Sequence, residues 1–300
     1  MPDPTATVTE VAGRRLRLTH LDRVLYPRTG YTKAAVLRYY TLVAPAMLPQ
    51  LAGRPASFLR LPEGVEGQHF WAKRVPPGAP AWVTALEVRH RQETMRQAVV
   101  ADLPTLLWAA NLGCLEFHVP QWRAEPDTHD RLIIDLDPGE GTSVVECCRV
   151  ALAARELLAA DGLDCWPKTT GSKGLHLSVP LVPAPAERVR HYARDLAGRL
   201  RRALPELVVD QMTKRLRTGR VFVDWSQNNS AKTTVAAYSL RARPEPTVSA
   251  PLDWREVTEC RRPEQLVFTA DQVVARLTGT GDPHAGLNDP ARAHQLPPNG

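Results

Sequence analysis

No apolar run in this chain approaches the roughly 18 residues that a membrane-spanning helix needs, so no membrane association is expected. Met1–Glu10 lacks the basic start and apolar stretch of a secretory signal. Cysteine is sparse: Cys114, Cys147, Cys148, Cys165 and Cys260 make five, an odd number with no C-x-x-C pair. That argues against a disulfide framework and a thiolate zinc site, and for buried, inert thiols in a reducing cytoplasm. The G-x-G-x-x-G fingerprint and the P-loop string are also absent, which removes two familiar nucleotide-binding architectures.

What is present is a basic chain with enough apolar residues for a sizeable core. Lys and Arg number 38 against 32 Asp and Glu, a formal charge of +6, and 43% of the 300 residues are hydrophobic. A basic balance permits a polyanionic partner without proving one. The 27 prolines gather in loops such as Arg74–Pro80 and Pro244–Pro251 and in the stretch 279–300, which reads as a flexible tail or the start of a linker.

Helical spacing runs from Thr32 to about Leu51, with Val36, Tyr39, Tyr40 and Val43 on one face. Ser143-Val144-Val145-Glu146 is a capping-box signature that opens a helix ending near Asp161-Gly162. A third helix is predicted over about Ala186–Leu204. Strands are predicted at Cys114–Val119, Arg131–Asp137, Asp164–Thr169, Gly174–Leu181 and Arg220–Trp225. The irregular mixture points to an α+β fold with a mainly antiparallel or mixed sheet flanked by helices.

In Leu132-Ile133-Ile134-Asp135-Leu136-Asp137, alternation puts Leu132, Ile134 and Leu136 on one face and Asp135 and Asp137 together on the other. Two carboxylates so close repel one another, and a hard divalent cation such as magnesium or manganese is the usual remedy. Asp224, in Val221-Phe222-Val223-Asp224-Trp225, supplies a third, as a two-metal phosphoryl-transfer site requires. A solvated strand edge or an ion pair with arginine is the plainer reading of the same residues. Thr169-Thr170-Gly171-Ser172-Lys173-Gly174-Leu175-His176 joins two strands. Its glycines allow an anion nest, its hydroxyls and Lys173 add donors, and His176 faces away from the core. The run Asn228–Thr234, with Lys232, offers a further polar surface just after Asp224.

These strings resemble a known family. LIIDLDPGEG, TTGSKGLHLSVPL and RLRTGRVFVDWSQNNSAKTTVAAYSLRAR follow LTHLDRVLYPRTGYTKAAVLRYY, HFWAKRVP and LEFHVPQW in order. From about Leu18 to Phe268 they are similar to the polymerase domain of bacterial DNA ligase D, within the archaeo-eukaryotic primase superfamily. The resemblance implies a primase-type fold, with a DNA-end-binding lobe over about 1–120 and a catalytic lobe over about 121–278. It implies a polymerase that fills gaps and adds untemplated nucleotides, often ribonucleotides, during double-strand-break repair by end joining. It implies two divalent ions, Mn2+ or Mg2+, held by Asp135, Asp137 and Asp224. Contacts to an incoming NTP or dNTP are implied for His118, Thr170, Gly171, Lys173, His176, Arg217, Gln227 and Arg241, to which the residue pattern adds Ser172 and Lys232. Arg23 and Lys33 match a pair that holds the 5′-phosphate at a gap or broken end. Phe70 and Trp71 match an aromatic pair that stacks on template bases, with Arg60 and Lys73 in electrostatic support. Partners would be broken or gapped DNA, Ku and a DNA ligase at the nucleoid.

Departures from the family pattern are few. Arg23 stands where lysine is usual, Thr170 where serine is commoner, and Ala237 where proline is frequent. No ligase or phosphoesterase module accompanies the match, which leaves a stand-alone primase-polymerase as one alternative. A non-catalytic 5′-phosphate-binding module and a two-metal nuclease are others.

Overall fold

Alternation along Leu132–Leu136 predicts a strand with one face in a core, and a computed structural model places it at the middle of a five-stranded sheet. The structure describes residues 6–90 and 93–298; part of the Met1–Glu10 stretch and the end of the tail lie outside the described residues. In order across the sheet, the strands are Trp166–Thr169, Leu175–Pro185, Thr128–Pro138, Val221–Val223 and Val208–Val209. All neighbours are antiparallel except the last pair, which is parallel. Leu132, Ile134, Leu136, Leu175, Leu177, Val179, Val221 and Val223 share one core beneath two helices. Val144–Ala160 begins with the expected capping box on Ser143 and Glu146. Ala186–Ala203 buries Val189, Tyr192, Ala193, Leu196, Ala197 and Leu200 at helical spacing and turns its arginines outward.

The chain divides into two compact units. The first runs to Val119 and includes 235–248 and 269–281; the second comprises 120–234, 249–268 and 282–300. The first unit's opening stretch ends at Val119, and two later stretches rejoin it. The reason is hydrogen bonding invisible to composition: Tyr39 OH donates to Tyr238 O at 2.8 Å, and Leu240 N–H donates to Tyr40 OH at 3.1 Å. The first unit contains the helix Lys33–Leu51, capped by Thr32, whose side chain accepts from Ala35 N–H. Its core is aromatic, with Phe117 packed edge-on against Tyr40 at 5.1 Å and Phe58 at 5.5 Å.

The stretch after Gly279 is not a free tail over its described residues. His284, Leu287 and Leu296 are buried. Arg188 Nη2 donates to Leu296 O at 2.9 Å and Pro297 O at 2.8 Å. Its proline content resembled a linker, but two leucines and an arginine partner fasten it. All five cysteines are buried and unpaired, as expected.

The central strand is completed by a side chain. Along the central strand, the pairing with Val221–Val223 covers Leu136, Asp137 and Pro138. Further along, the fully buried amide of Asn228 takes over. Its Nδ2 donates to Ile133 O at 2.7 Å and its Oδ1 accepts from Ile133 N–H at 2.9 Å. Asn228→Ala leaves both backbone groups buried without these partners, at a cost of about 3 kcal/mol. Urea denaturation is expected to show that loss as a lower midpoint with an unchanged slope.

Candidate active site

Strand register in the second unit sets the site. Asp135 lies opposite His176, which lies opposite Lys168 on the next strand. His176 Nε2 is 3.2 Å from Asp135 Oδ1. On the other side, Asp137 lies opposite Phe222, and Asp224 N–H donates to Asp135 O at 2.9 Å. The sheet therefore carries Asp135, Asp137, His176 and Lys168 on the face away from its core, with Asp224 at the adjoining strand end. The predicted strand through Trp225 stops at Val223. Asp224 instead caps the short 3-10 helix Trp225–Asn228, its Oδ1 accepting from Ser226 N–H at 2.9 Å. A carboxylate followed by Trp-Ser-Gln-Asn satisfies helix donors better than it continues a strand.

Glycine permits the close approaches beside the aspartates. A Cβ on Gly174 would lie 2.2 Å from Leu136 O, and one on Gly139 would lie 1.8 Å from Arg217 O. Gly174 thus serves strand packing. The proposed nest is partly closed on itself, because Thr170 Oγ1 accepts from Ser172 N–H at 3.3 Å and Gly174 N–H at 3.2 Å. Gly171 and Ser172 are half-buried and Lys173 is exposed at the loop's tip.

The run after Asp224 divides by function. Asn228 belongs to the sheet, and Ser230 Oγ donates to Pro126 O at 2.6 Å. Lys232 faces the aspartates, with Nζ 3.3 Å from Asp224 Oδ2 and in contact with Ser226 Oγ. Gln227 Nε2 approaches Asp224 Oδ2 at 3.5 Å and, with Lys168, works against the rise of the Asp135 carboxyl. Arg217 stacks over the Phe222 ring at 3.6 Å and bears on Asp137. Lys168 was missed in the sequence. It is 4% exposed, donates to Ser249 Oγ at 2.7 Å and offsets the Asp135 charge. A lysine inside an apolar strand two residues before Thr170 was the available signal.

The charges do not balance. Burial first, then Asp224, push Asp135 up to about 7 against Lys168, Gln227 and Lys232. Burial, Asp135 and Asp224 push Asp137 to about 7 against Arg217 and Lys232. Asp135 Oδ1 is buried without a hydrogen-bond donor. As the side chains stand, no three His, Cys, Asp or Glu among the described residues converge closely enough to hold a metal. Lys232 and Ser226 engage Asp224 instead. Yet carboxylate oxygens, an acceptor without a donor and two carboxyls pushed upward are the traits of a site short of positive charge, and they fit a hard divalent cation.

The first unit holds the remaining residues. Glu116 joins His118 and Arg241, with Oε2 2.8 Å from His118 Nε2 and Oε1 3.1 Å from Arg241 Nε. Glu116 was not singled out in the sequence. Phe70 and Trp71 are 46% and 53% exposed on an edge strand, not in the core. Arg60 lies 5.0 Å over the Phe70 ring, Trp71 packs edge-on against His118 at 4.7 Å, and Lys73 follows directly. Lys33 is buried, its Nζ donating to Thr19 O at 2.7 Å, and its backbone N–H donates to Arg23 O at 2.8 Å. Burial and the Arg23 charge lower Lys33 to about 8.

A carboxyl raised by folding destabilises the fold as it ionises. The penalty is absent below the unfolded value near 4, grows as pH rises, and is complete above about 7 for Asp135. Asp135→Asn is therefore expected to raise Tm by several degrees in EDTA at pH 8, a gain that shrinks toward pH 4. Added Mn2+ should raise the wild-type Tm at pH 8 and leave that of Asp135→Asn nearly unmoved.

Comparison with known proteins identifies the family. Residues 32–284 match the model of the family described as LigD, primase-polymerase domain. The chain is 44% identical over 278 residues to the multifunctional non-homologous end joining protein LigD of Mycolicibacterium smegmatis, covering 91% of this chain and 36% of that protein. It is 31% identical over 271 residues to the bifunctional LigD of Bacillus subtilis, covering 90% of this chain and 43% of that one. It thus spans well under half the length of these relatives. A solved structure, the polymerase domain of Mycobacterium tuberculosis ligase D in complex with DNA, superposes with a TM-score of 0.88 at 44% identity, covering 92% of this chain and 99% of the other. The α+β architecture is that of this structure, and the chain belongs to the LigD primase-polymerase domain family.

Proposed function

We propose that this chain is a DNA-end-directed nucleotidyltransferase that fills gaps and adds untemplated nucleotides, with a preference for ribonucleotides, in bacterial double-strand-break repair by end joining. The observation that carries this reading is the gathering of Asp135 and Asp137 on one strand, with Asp224 just past the end of its neighbour, in surroundings short of positive charge. Asp135, Asp137 and Asp224 would hold two Mn2+ or Mg2+ ions, which when bound lower the barrier to attack by a 3′-hydroxyl and offset charge on the phosphates. Lys232, whose Nζ lies 3.3 Å from Asp224 Oδ2, would offer its ammonium to phosphate. Lys173, Arg217 and His176 supply charge and donors to the triphosphate; Thr170, Gly171, Ser172 and Gln227 orient it. His118 and Arg241 would offer donors to phosphate oxygens of a nucleoside triphosphate.

The exposed Phe70–Trp71 pair stacks on template bases, with Arg60 and Lys73 beside the backbone. Arg23 and Lys33 grip a 5′-phosphate. The relatives' names place them in non-homologous end joining, so Ku and a DNA ligase are the partners proposed here, at the nucleoid. No helix among the described residues is long and apolar enough to cross a membrane.

Primer extension on a gapped duplex, with and without the 5′-phosphate and with NTPs or dNTPs in parallel, tests this reading. Incorporation should require Mn2+ or Mg2+, strengthen with the 5′-phosphate, and fall to background in Asp137→Ala. Incorporation indifferent to the phosphate would favour a general primase-polymerase. Tight phosphate-dependent binding without incorporation would favour an end-binding module, and nucleotide release a nuclease.

The phosphate grip has its own pH dependence. Lys33 is charged below about 8 and loses its proton as pH rises through that value. The stimulation by a 5′-phosphate should be strong at pH 7 and fade toward pH 9, and Lys33→Arg should keep it across that range.

A further inference from the structure

Along Cys114–Val119, Leu115, Phe117 and Val119 alternate with Cys114, Glu116 and His118 on the opposite face. Glu116 is 4% exposed, and a buried carboxylate is unfavourable unless donors meet its oxygens. Here they do. Oε2 accepts from His118 Nε2 at 2.8 Å, and Oε1 accepts from Ala242 N–H at 2.8 Å while lying 3.1 Å from Arg241 Nε. Burial alone would push the Glu116 carboxyl up, but His118, Arg241 and the Ala242 N–H together hold it down at about 2. It is ionised throughout the working range.

An ionised carboxylate only accepts hydrogen bonds, so the proton between the pair sits on His118 Nε2 and the ring's orientation is set. Trp71 packs edge-on against that ring at 4.7 Å. Arg241 is anchored through its backbone as well. Its carbonyl accepts from Tyr26 OH at 3.0 Å, and its N–H donates to Thr247 O at 2.8 Å. Its guanidinium, 15% exposed, is directed by Glu116. One carboxylate thus orients two donor side chains from distant parts of the chain.

We propose that Glu116 is a positioning residue, whose carboxylate locks the His118 ring and the Arg241 guanidinium into one preorganised pair of donors for the phosphate oxygens of a nucleoside triphosphate. This rests on the phosphate-binding role given above to His118 and Arg241. Donors already ordered bind without the loss of side-chain freedom that loose ones incur. Without the carboxylate both side chains remain, but the ligand itself has to order them.

Glu116→Gln keeps the shape and removes the charge. Glu116→Asp keeps the charge and withdraws it by one methylene, and serves if the glutamine variant does not fold. The measurements are the Kd for a fluorescent triphosphate analogue, KM and kcat in gap filling, the Kd for a 5′-phosphorylated gapped duplex, and Tm. Nucleotide Kd and KM should rise about 10- to 100-fold, by analogy with the carboxylates that orient metal-binding histidines. The fall in kcat should be smaller, and the DNA Kd unchanged. In a His118→Ala/Arg241→Ala background, Glu116→Gln should add no further loss of nucleotide affinity. A lowered Tm with unchanged nucleotide Kd and KM would overturn the proposal, as would full additivity in that background. A wild-type protein that binds no triphosphate would overturn instead the reading on which the proposal rests.

Discussion

Negative charge held out of water is the constraint on which the second unit depends. Asp135 and Asp137 lie on the opposite side of a strand whose other face, Leu132, Ile134 and Leu136, is sealed into the core. Neither can turn toward solvent without breaking the register that aligns Asp135 with His176. Lys168, Lys232 and Arg217 offset part of the charge, and still both carboxyls stand near 7. Such a face carries more negative charge than its neighbours offset, and perturbed carboxyls of this kind gather at functional sites.

The backbone around that face is correspondingly tight. Gly174 and Gly139 admit carbonyls where any side chain would collide, and Asn228 supplies the pairing that a neighbouring strand does not reach. Asp224 both faces Asp135 and caps the 3-10 helix that carries Gln227. Residues in one short run therefore divide between building the sheet and facing its charge, and the division follows from burial: Asn228 is fully enclosed, whereas Lys232 reaches the carboxylates.

The first unit solves the opposite problem. Its aromatic interior is closed by tyrosine hydroxyls donating to backbone carbonyls, while Phe70 and Trp71 remain exposed on an edge strand. These large aromatics stand in water, with Arg60 5.0 Å over the Phe70 ring. Glu116 plays here the part that Lys168 plays among the aspartates, a buried charge of opposite sign to the groups it arranges.

Much of this was legible in the chain itself. The helices opened by Thr32 and Ser143, the strand bearing Asp135 and Asp137, and the outward turn of His176 all follow from periodicity and capping, which are local. The family, too, was legible, because its strings carry side chains at fixed spacing. Other features were not local. Val119 ends one unit and Val235 rejoins it through tyrosine hydroxyls far away in sequence; the proline-rich end is fastened by Arg188; Thr170 satisfies amides that the loop's glycines seemed to offer to an anion. Lys168 and Glu116 looked like ordinary charges in strands until register and burial gave them partners. Sequence alone determined the elements, the aspartates and the family, since these depend on neighbours along the chain. Only the tertiary structure decided which polar groups satisfy one another and which carboxylates are left short of positive charge, because that depends on distances between residues the chain brings together by folding.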